Sequence, residues 1–179
     1  MFRSSQLGLL VIFLLFSSLF AISSETNEKQ IETKRSGFWT YYCKNYERTR
    51  QCEIARKINI TQNNETFLIV YKVTKDINSK VKENLNILTP PAIIVNTKKR
   101  LKISFDDKTR FTRSFVECEE TSCLAIFKSN KILKYSIKNF TKMKITFYSM
   151  EDEEPISLTL QMDGFIQALD DISQQLKSF

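Results

Sequence analysis

Histidine is missing from all 179 residues, and with it the side chain that most often carries a proton between groups near neutral pH. Catalysis built on an imidazole is excluded, and zinc loses one of its usual ligands. After the first 22 residues no long apolar run follows, so nothing further along could span hydrocarbon, which takes about 20 apolar residues. Strand-like and helix-like segments do not alternate, which argues against a doubly wound sheet, and no internal repeat is visible. Glycine is scarce as well, at three residues.

What is present suffices for one folded domain. The length fits a single hydrophobic core of the usual size, and 42% hydrophobic residues, including 14 phenylalanines, can fill it. Before that domain, Arg3 precedes the apolar run Leu7 to Ile22, and Ala21-Ile22-Ser23 offers small residues where a secretory leader is cut. Residues 1–23 are therefore expected to be a signal peptide cleaved after Ser23, the alternative being an uncleaved anchor. Residues 24–36 are polar and read as a flexible lead, and 37–179 as the domain. Loss of Arg3 with the leader leaves 26 basic against 20 acidic residues, a net charge of +6. The expected address is the periplasm or the exterior, with the mature protein soluble or peripherally attached.

Export decides how Cys43, Cys52, Cys118 and Cys123 are read, because disulfides persist in oxidising compartments. Four cysteines allow three connectivities, and the local grouping favours Cys43 with Cys52 and Cys118 with Cys123. Loops this short give about 2–3 kcal/mol per bridge in the chain-entropy model. The spacings C-x8-C and C-x4-C do not match zinc sites, so no metal and no cofactor is expected.

Alternation of apolar and polar residues marks most of the strands. Phe38 to Cys43 and Gln51 to Ile58 form a first pair, and Phe67, Ile69, Tyr71 and Val73 a central strand. Asp76 to Asn86 is polar, and Pro90-Pro91 marks a turn or an edge. Leu101, Ile103 and Phe105 form a half-buried strand ended by Asp106-Asp107-Lys108. Phe111 to Cys118 and Cys123 to Phe127 read as the arms of one hairpin. Met143, Ile145 and Phe147, then Ile156, Leu158 and Leu160, give two more strands. Asn130 to Phe140 is open to two readings: Leu133, Ile137 and Phe140 sit at helical spacing, while Leu133, Tyr135 and Ile137 also alternate as a strand would, and a short helix capped by Ser129 or Asn130 is the favoured one. Phe165, Leu169, Ile172 and Leu176 form one stripe of a C-terminal helix, with Asp163 as its expected cap. Seven or eight short strands with a final helix imply a mainly β fold, an antiparallel β-sandwich.

These residues resemble a known family. Gly37-Phe38-Trp39-Thr40-Tyr41-Tyr42-Cys43 followed by Cys52 is similar to the opening of the invasion-associated locus B family of exported bacterial proteins. The likeness continues through Pro90 or Pro91 before an apolar stretch, Leu101-Lys102-Ile103-Ser104-Phe105-Asp106, and Phe115-Val116-Glu117-Cys118 with Cys123. It ends with Leu158-Thr159-Leu160 leading into Gly164-Phe165 and Ala168-Leu169, and covers about residues 37 to 172. The resemblance implies a periplasmic or secreted sandwich of the immunoglobulin-like kind, no known enzymatic activity, and a loose association with host-cell invasion. The chain departs from the family in its few glycines, with Ser122 where the family has glycine before the second hairpin cysteine.

Four groups of residues compete for a functional role. Lys98, Lys99, Arg100, Lys102, Lys108, Arg110 and Arg113 read first as solvent-facing positions and edge protection, and second as a cationic face for an anionic surface. Trp39, Tyr41 and Tyr42 could offer a platform for sugar or peptide, but one face of that strand must be core. Acidic Glu119-Glu120 and Glu151 to Glu154 read as solvated turns, and the N-x-T triplets at Asn59, Asn64 and Asn139 matter only in a eukaryotic secretory route. The expectation is a non-enzymatic binding protein for an envelope or host-surface partner. The alternative is a structural or stress-related component held peripherally on anionic membrane. Nucleic acid is not an expected partner.

Overall fold

The computed structural model describes residues 32–59, 66–90, 93–119, 122–151 and 154–179. The signal peptide expected over 1–23, and most of the lead expected over 24–36, lie outside them. The larger of two antiparallel sheets has seven strands. It runs β1 (Lys34–Ser36), β2 (Trp39–Asn45), β3 (Thr49–Asn59), β4 (Thr66–Asp76) and β5 (Val81–Leu88), then β9 (Ser122–Lys128) and β8 (Glu117–Glu119). The smaller sheet has four strands, in the order β11 (Pro155–Gln161), β10 (Lys142–Tyr148), β6 (Leu101–Phe105) and β7 (Thr109–Arg113). Helices α1 (Lys131–Asn139) and α2 (Phe165–Lys177) complete the fold. This is the antiparallel β-sandwich with a C-terminal helix that the alternation implied. Most of its larger sheet is a meander, a simpler route than the interleaved strand order of immunoglobulin domains.

Period-two alternation delivers one face of each sheet to a shared core. Tyr41, Ile54, Tyr71, Leu85 and Phe127 lie in one unbroken row across five strands and are all buried. Against that face stand Leu101, Ile103, Phe105, Met143, Ile145 and Phe147 of the smaller sheet, also buried, and Phe67 stacks on Phe147 with ring centres 5.7 Å apart. Helix α2 closes the rest, burying Phe165, Ala168, Leu169, Ile172 and Leu176. The Phe165 ring meets Trp39 edge-on at 4.9 Å and Tyr71 at 5.6 Å.

The scarce glycines have a specific position. Gly37 (φ +56°) and Gly164 (φ +81°) lie where the β1–β2 turn passes the start of α2. A Cβ on Gly164 would fall 2.2 Å from the Ser36 carbonyl oxygen, and one on Gly37 2.6 Å from that of Asp163. Elsewhere left-handed backbone is made without glycine, at Ser79, Asp106 and Asp107. Aspartate tolerates that region better than most residues. Asp106 also uses its carboxylate, which accepts from the backbone N–H groups of Thr141 (3.1 Å) and Lys142 (2.9 Å).

Four local expectations change. Lys34–Ser36 pairs with β2, so ordered structure begins before Gly37. The polar stretch from Asp76 contains β5, whose inward positions Leu85 and Ile87 were masked by Asn84 before them and Asn86 between them. Phe111 to Cys118 is not one arm of a hairpin: Thr109–Arg113 pairs with β6 in the smaller sheet, and Glu117–Glu119 pairs with β9 in the larger. Asp163 does not cap α2, whose N-cap is Gly164 in the left-handed region. Asn130 does cap α1 as expected, its side-chain oxygen accepting from the Leu133 N–H at 2.8 Å.

Candidate functional site

Both cysteine pairs are directly opposed across neighbouring strands, Cys43 with Cys52 and Cys118 with Cys123, and both are disulfides. They staple opposite ends of the larger sheet from its inner side, with Cys52 and Cys123 buried. Among the described residues no cysteine is free, and no three His, Cys, Asp or Glu side chains gather as a metal site would.

The chemistry-bearing surface is the outward face of the smaller sheet. Ladder register sets its rows: Arg110, Ser104, Lys144 and Thr159 form one, and Thr112, Lys102, Thr146 and Ser157 the next. Lys142 lies opposite Gln161, and Tyr148 opposite Pro155. None of these strand positions carries an acid, and Asp106, just past the end of β6, brings a carboxylate to the Lys142 end of the face, where it accepts from the backbone N–H groups of Thr141 and Lys142. Lys102, Arg110, Lys142 and Lys144 are exposed, and none of them has a carboxylate partner among the described residues. Strand geometry spaces neighbours by about 5 Å across the sheet and about 7 Å along it. The face therefore presents cations among hydroxyl groups that can donate or accept hydrogen bonds.

Of the seven basic residues singled out from sequence, only Lys102 and Arg110 share this face. Lys98, Lys99 and Arg100 lie in the loop before β6, where the Lys99 ammonium sits 4.1 Å from the Tyr148 ring centre and so extends the cationic surface. Lys108 lies in the β6–β7 turn, and Arg113, opposite Leu101, ends the edge strand. Sequence reading missed Lys142 and Lys144, about 40 residues further on. The signal was present, because alternation that sends Met143 and Ile145 inward must send both lysines outward. The aromatic platform does not form: Trp39 and Tyr41 are buried in the core.

A second polar cluster ties elements together. Glu83 accepts hydrogen bonds from the Tyr71 hydroxyl (2.5 Å), the Ser129 hydroxyl (3.3 Å) and the Lys134 ammonium (2.7 Å). It thus pins α1 to β4 and β5. Beside it, between α2 and the ends of β4 and β5, is an open hollow of about 270 Å³ lined by Val73, Val81, Leu169 and Leu176. The carboxylate there is already engaged by three donors.

Burial pushes the Glu83 carboxyl up, but the hydrogen bonds from Lys134, Tyr71 and Ser129 and the Lys134 charge outweigh it and hold it below the usual value. A depressed carboxyl contributes stability above its unfolded pKa, near 4.3, which is lost as pH falls through the lower folded value. Thermal melts below about pH 4.5 should therefore show Glu83→Gln losing less of its stability with acid than the parent does.

These features define a class: a disulfide-stapled antiparallel β-sandwich with one sheet face whose strand positions carry cations and no acid. Within that class the chain belongs to the invasion associated locus B (IalB) protein family, whose family model matches residues 39–173. The crystal structure of invasion associated protein B from Bartonella henselae has the same fold, with a TM-score of 0.65 and 19% sequence identity over 82% of this chain and 98% of that one. No curated protein sequence matches.

Proposed function

We propose that this protein is a non-enzymatic exported binding protein whose smaller-sheet face meets an anionic surface at the bacterial envelope or on a host cell. The observation that carries the reading is the set of outward positions on β6, β7, β10 and β11, which hold Lys102, Arg110, Lys142 and Lys144 and no acid. A mixed-sign surface would follow from solubility alone. A one-sign face concentrates counter-ions and attracts an anionic partner. Export is supported by the leader-like residues 1–23 and by the two disulfides, which favour an oxidising address in the periplasm or outside the cell. With no histidine in the chain, acid–base catalysis by an imidazole is excluded.

Charge-driven attachment has a distinct dependence on salt. Binding to vesicles containing phosphatidylglycerol, or to an immobilised sulfated polysaccharide, should weaken steeply as the ionic strength rises from about 0.05 M to about 0.5 M. Each cation at an anionic surface adds about 1 kcal/mol. Substituting all four of Lys102, Arg110, Lys142 and Lys144 with glutamine should therefore lower affinity by at least about 100-fold. Binding that is flat in salt and unmoved by these substitutions would sink the reading. Preference between vesicle and polysaccharide distinguishes a membrane role from a polymer-binding one.

A further inference from the structure

We propose that the outward face of the larger sheet is a self-complementary surface that pairs two copies of this chain back to back. Its apolar part is contiguous. One ladder row reads Lys57, Leu68, Leu88, Leu124 and Glu117 across β3, β4, β5, β9 and β8, and the next reads Ala55, Val70, Asn86 and Ile126. The six apolar side chains in these rows are half-buried, and among the described residues no helix or other strand packs on them. The buried apolar residues of α1 and α2 face the opposite side of the sheet, against the core.

Two observations select a second copy as the occupant. The leucine row carries a cation at one end and a carboxylate at the other, both exposed and neither in an ion pair with a described residue. A two-fold axis running close to the direction of β5, between two facing sheets, exchanges β4 with β9 and β3 with β8. Lys57 then meets the second copy's Glu117, Leu68 meets its Leu124, and Leu88 meets its own counterpart, as an isologous interface requires.

The second observation is Asn86, which sits on the strand along that axis. Its side-chain oxygen is enclosed without a hydrogen-bond partner, a costly state for a polar group. A turn of the side chain would let it pair with the second copy's Asn86. Further along the strands the same axis brings Lys72 towards the second copy's Lys128, and Lys72 is already drawn to Glu53 at 3.8 Å. Sheet twist sets packed sheets at about 30° to one another, so close contact is confined to the apolar end. Pairing here leaves both cationic faces outward on opposite sides, free to engage two surfaces or two sites on one polymer.

Sedimentation velocity on the disulfide-intact, leader-free chain from about 1 to about 200 μM tests the proposal. A concentration-dependent monomer–dimer equilibrium is expected, with Leu88→Arg monomeric throughout. K57E sets two carboxylates face to face and E117K two ammonium groups, so each should weaken dimerisation roughly tenfold while the double variant K57E/E117K recovers it. All these positions are exposed or half-buried, so the folded monomer should keep the parent far-UV spectrum. A chain that stays monomeric at about 200 μM overturns the proposal. A dimer that survives Leu88→Arg overturns it equally.

Discussion

Gly164→Ala is expected to lower the free energy of unfolding by about 4 kcal/mol, or to leave too little folded protein to purify. Two costs combine at this position. Its φ of +81° is one that an L side chain occupies at a penalty of about 1–2 kcal/mol. The new Cβ would also fall 2.2 Å from the Ser36 carbonyl oxygen and 2.7 Å from the Gly37 nitrogen. Neither neighbour is a flexible side chain that could swing away, so the β1–β2 turn and the start of α2 must move apart. That motion pulls Phe165 out of contact with Trp39 and Tyr71. Urea titration of the purified domain measures the effect as a shift of the midpoint. A loss below about 1 kcal/mol would mean that the two backbones separate at little cost.

Phe165→Ala should cost about 3–5 kcal/mol, the range for deleting a fully buried aromatic side chain. The ring is buried and touches both sheet-borne aromatics edge-on, so the variant loses dispersion contacts on two sides and leaves a cavity under α2. Phe165→Leu keeps most of the volume and should cost about 1.5 kcal/mol. The effects of Gly164→Ala and Phe165→Ala should not add, because the first substitution already displaces the second residue. Urea melts of the two single variants and the double variant check this directly.

Much of the fold could be read from alternation, because the sandwich buries one side of most strands. β6, β10 and β11 carry their apolar residues at every second position, β4 and β9 read as short continuous apolar runs, and α2 carries its apolar residues at offsets of four, three and four. The failures have physical causes. β1 and β8 are three residues long and lie at the edges of the larger sheet, where exposed polar side chains carry no pattern. In β5 only Leu85 and Ile87 are buried, too few to stand out among the lysines and asparagines around them. The break between β7 and β8 is a change of sheet, which pairing decides and which local sequence does not announce. Asp163 looked like a cap, but the close approach of Gly37 to Gly164 fixes the start of α2.

The site was half legible for a similar reason. A basic run from Lys98 to Arg113 is visible in the chain, but its residues divide among a loop, two strands and a turn. The face exists because β10 pairs with β6 and brings Lys142 and Lys144 beside Lys102 and Arg110. The disulfides were fully legible, because the two cysteines of each pair lie close together in the sequence and face each other directly across neighbouring strands.

The central claim is that a particular sheet face, and not net charge, holds the protein on an anionic surface. Two double variants with the same net charge separate these possibilities: K102Q/K144Q on the face, and K80Q/K131Q at exposed positions on the β4–β5 turn and at the start of α1. Affinity for phosphatidylglycerol vesicles and for the sulfated polysaccharide is measured for each at about 0.1 M salt. The account predicts that K102Q/K144Q loses about 30-fold on whichever surface the parent binds, while K80Q/K131Q stays within about threefold of the parent. Equal losses for the two pairs would contradict it, because binding would then follow total charge wherever on the molecule that charge lies.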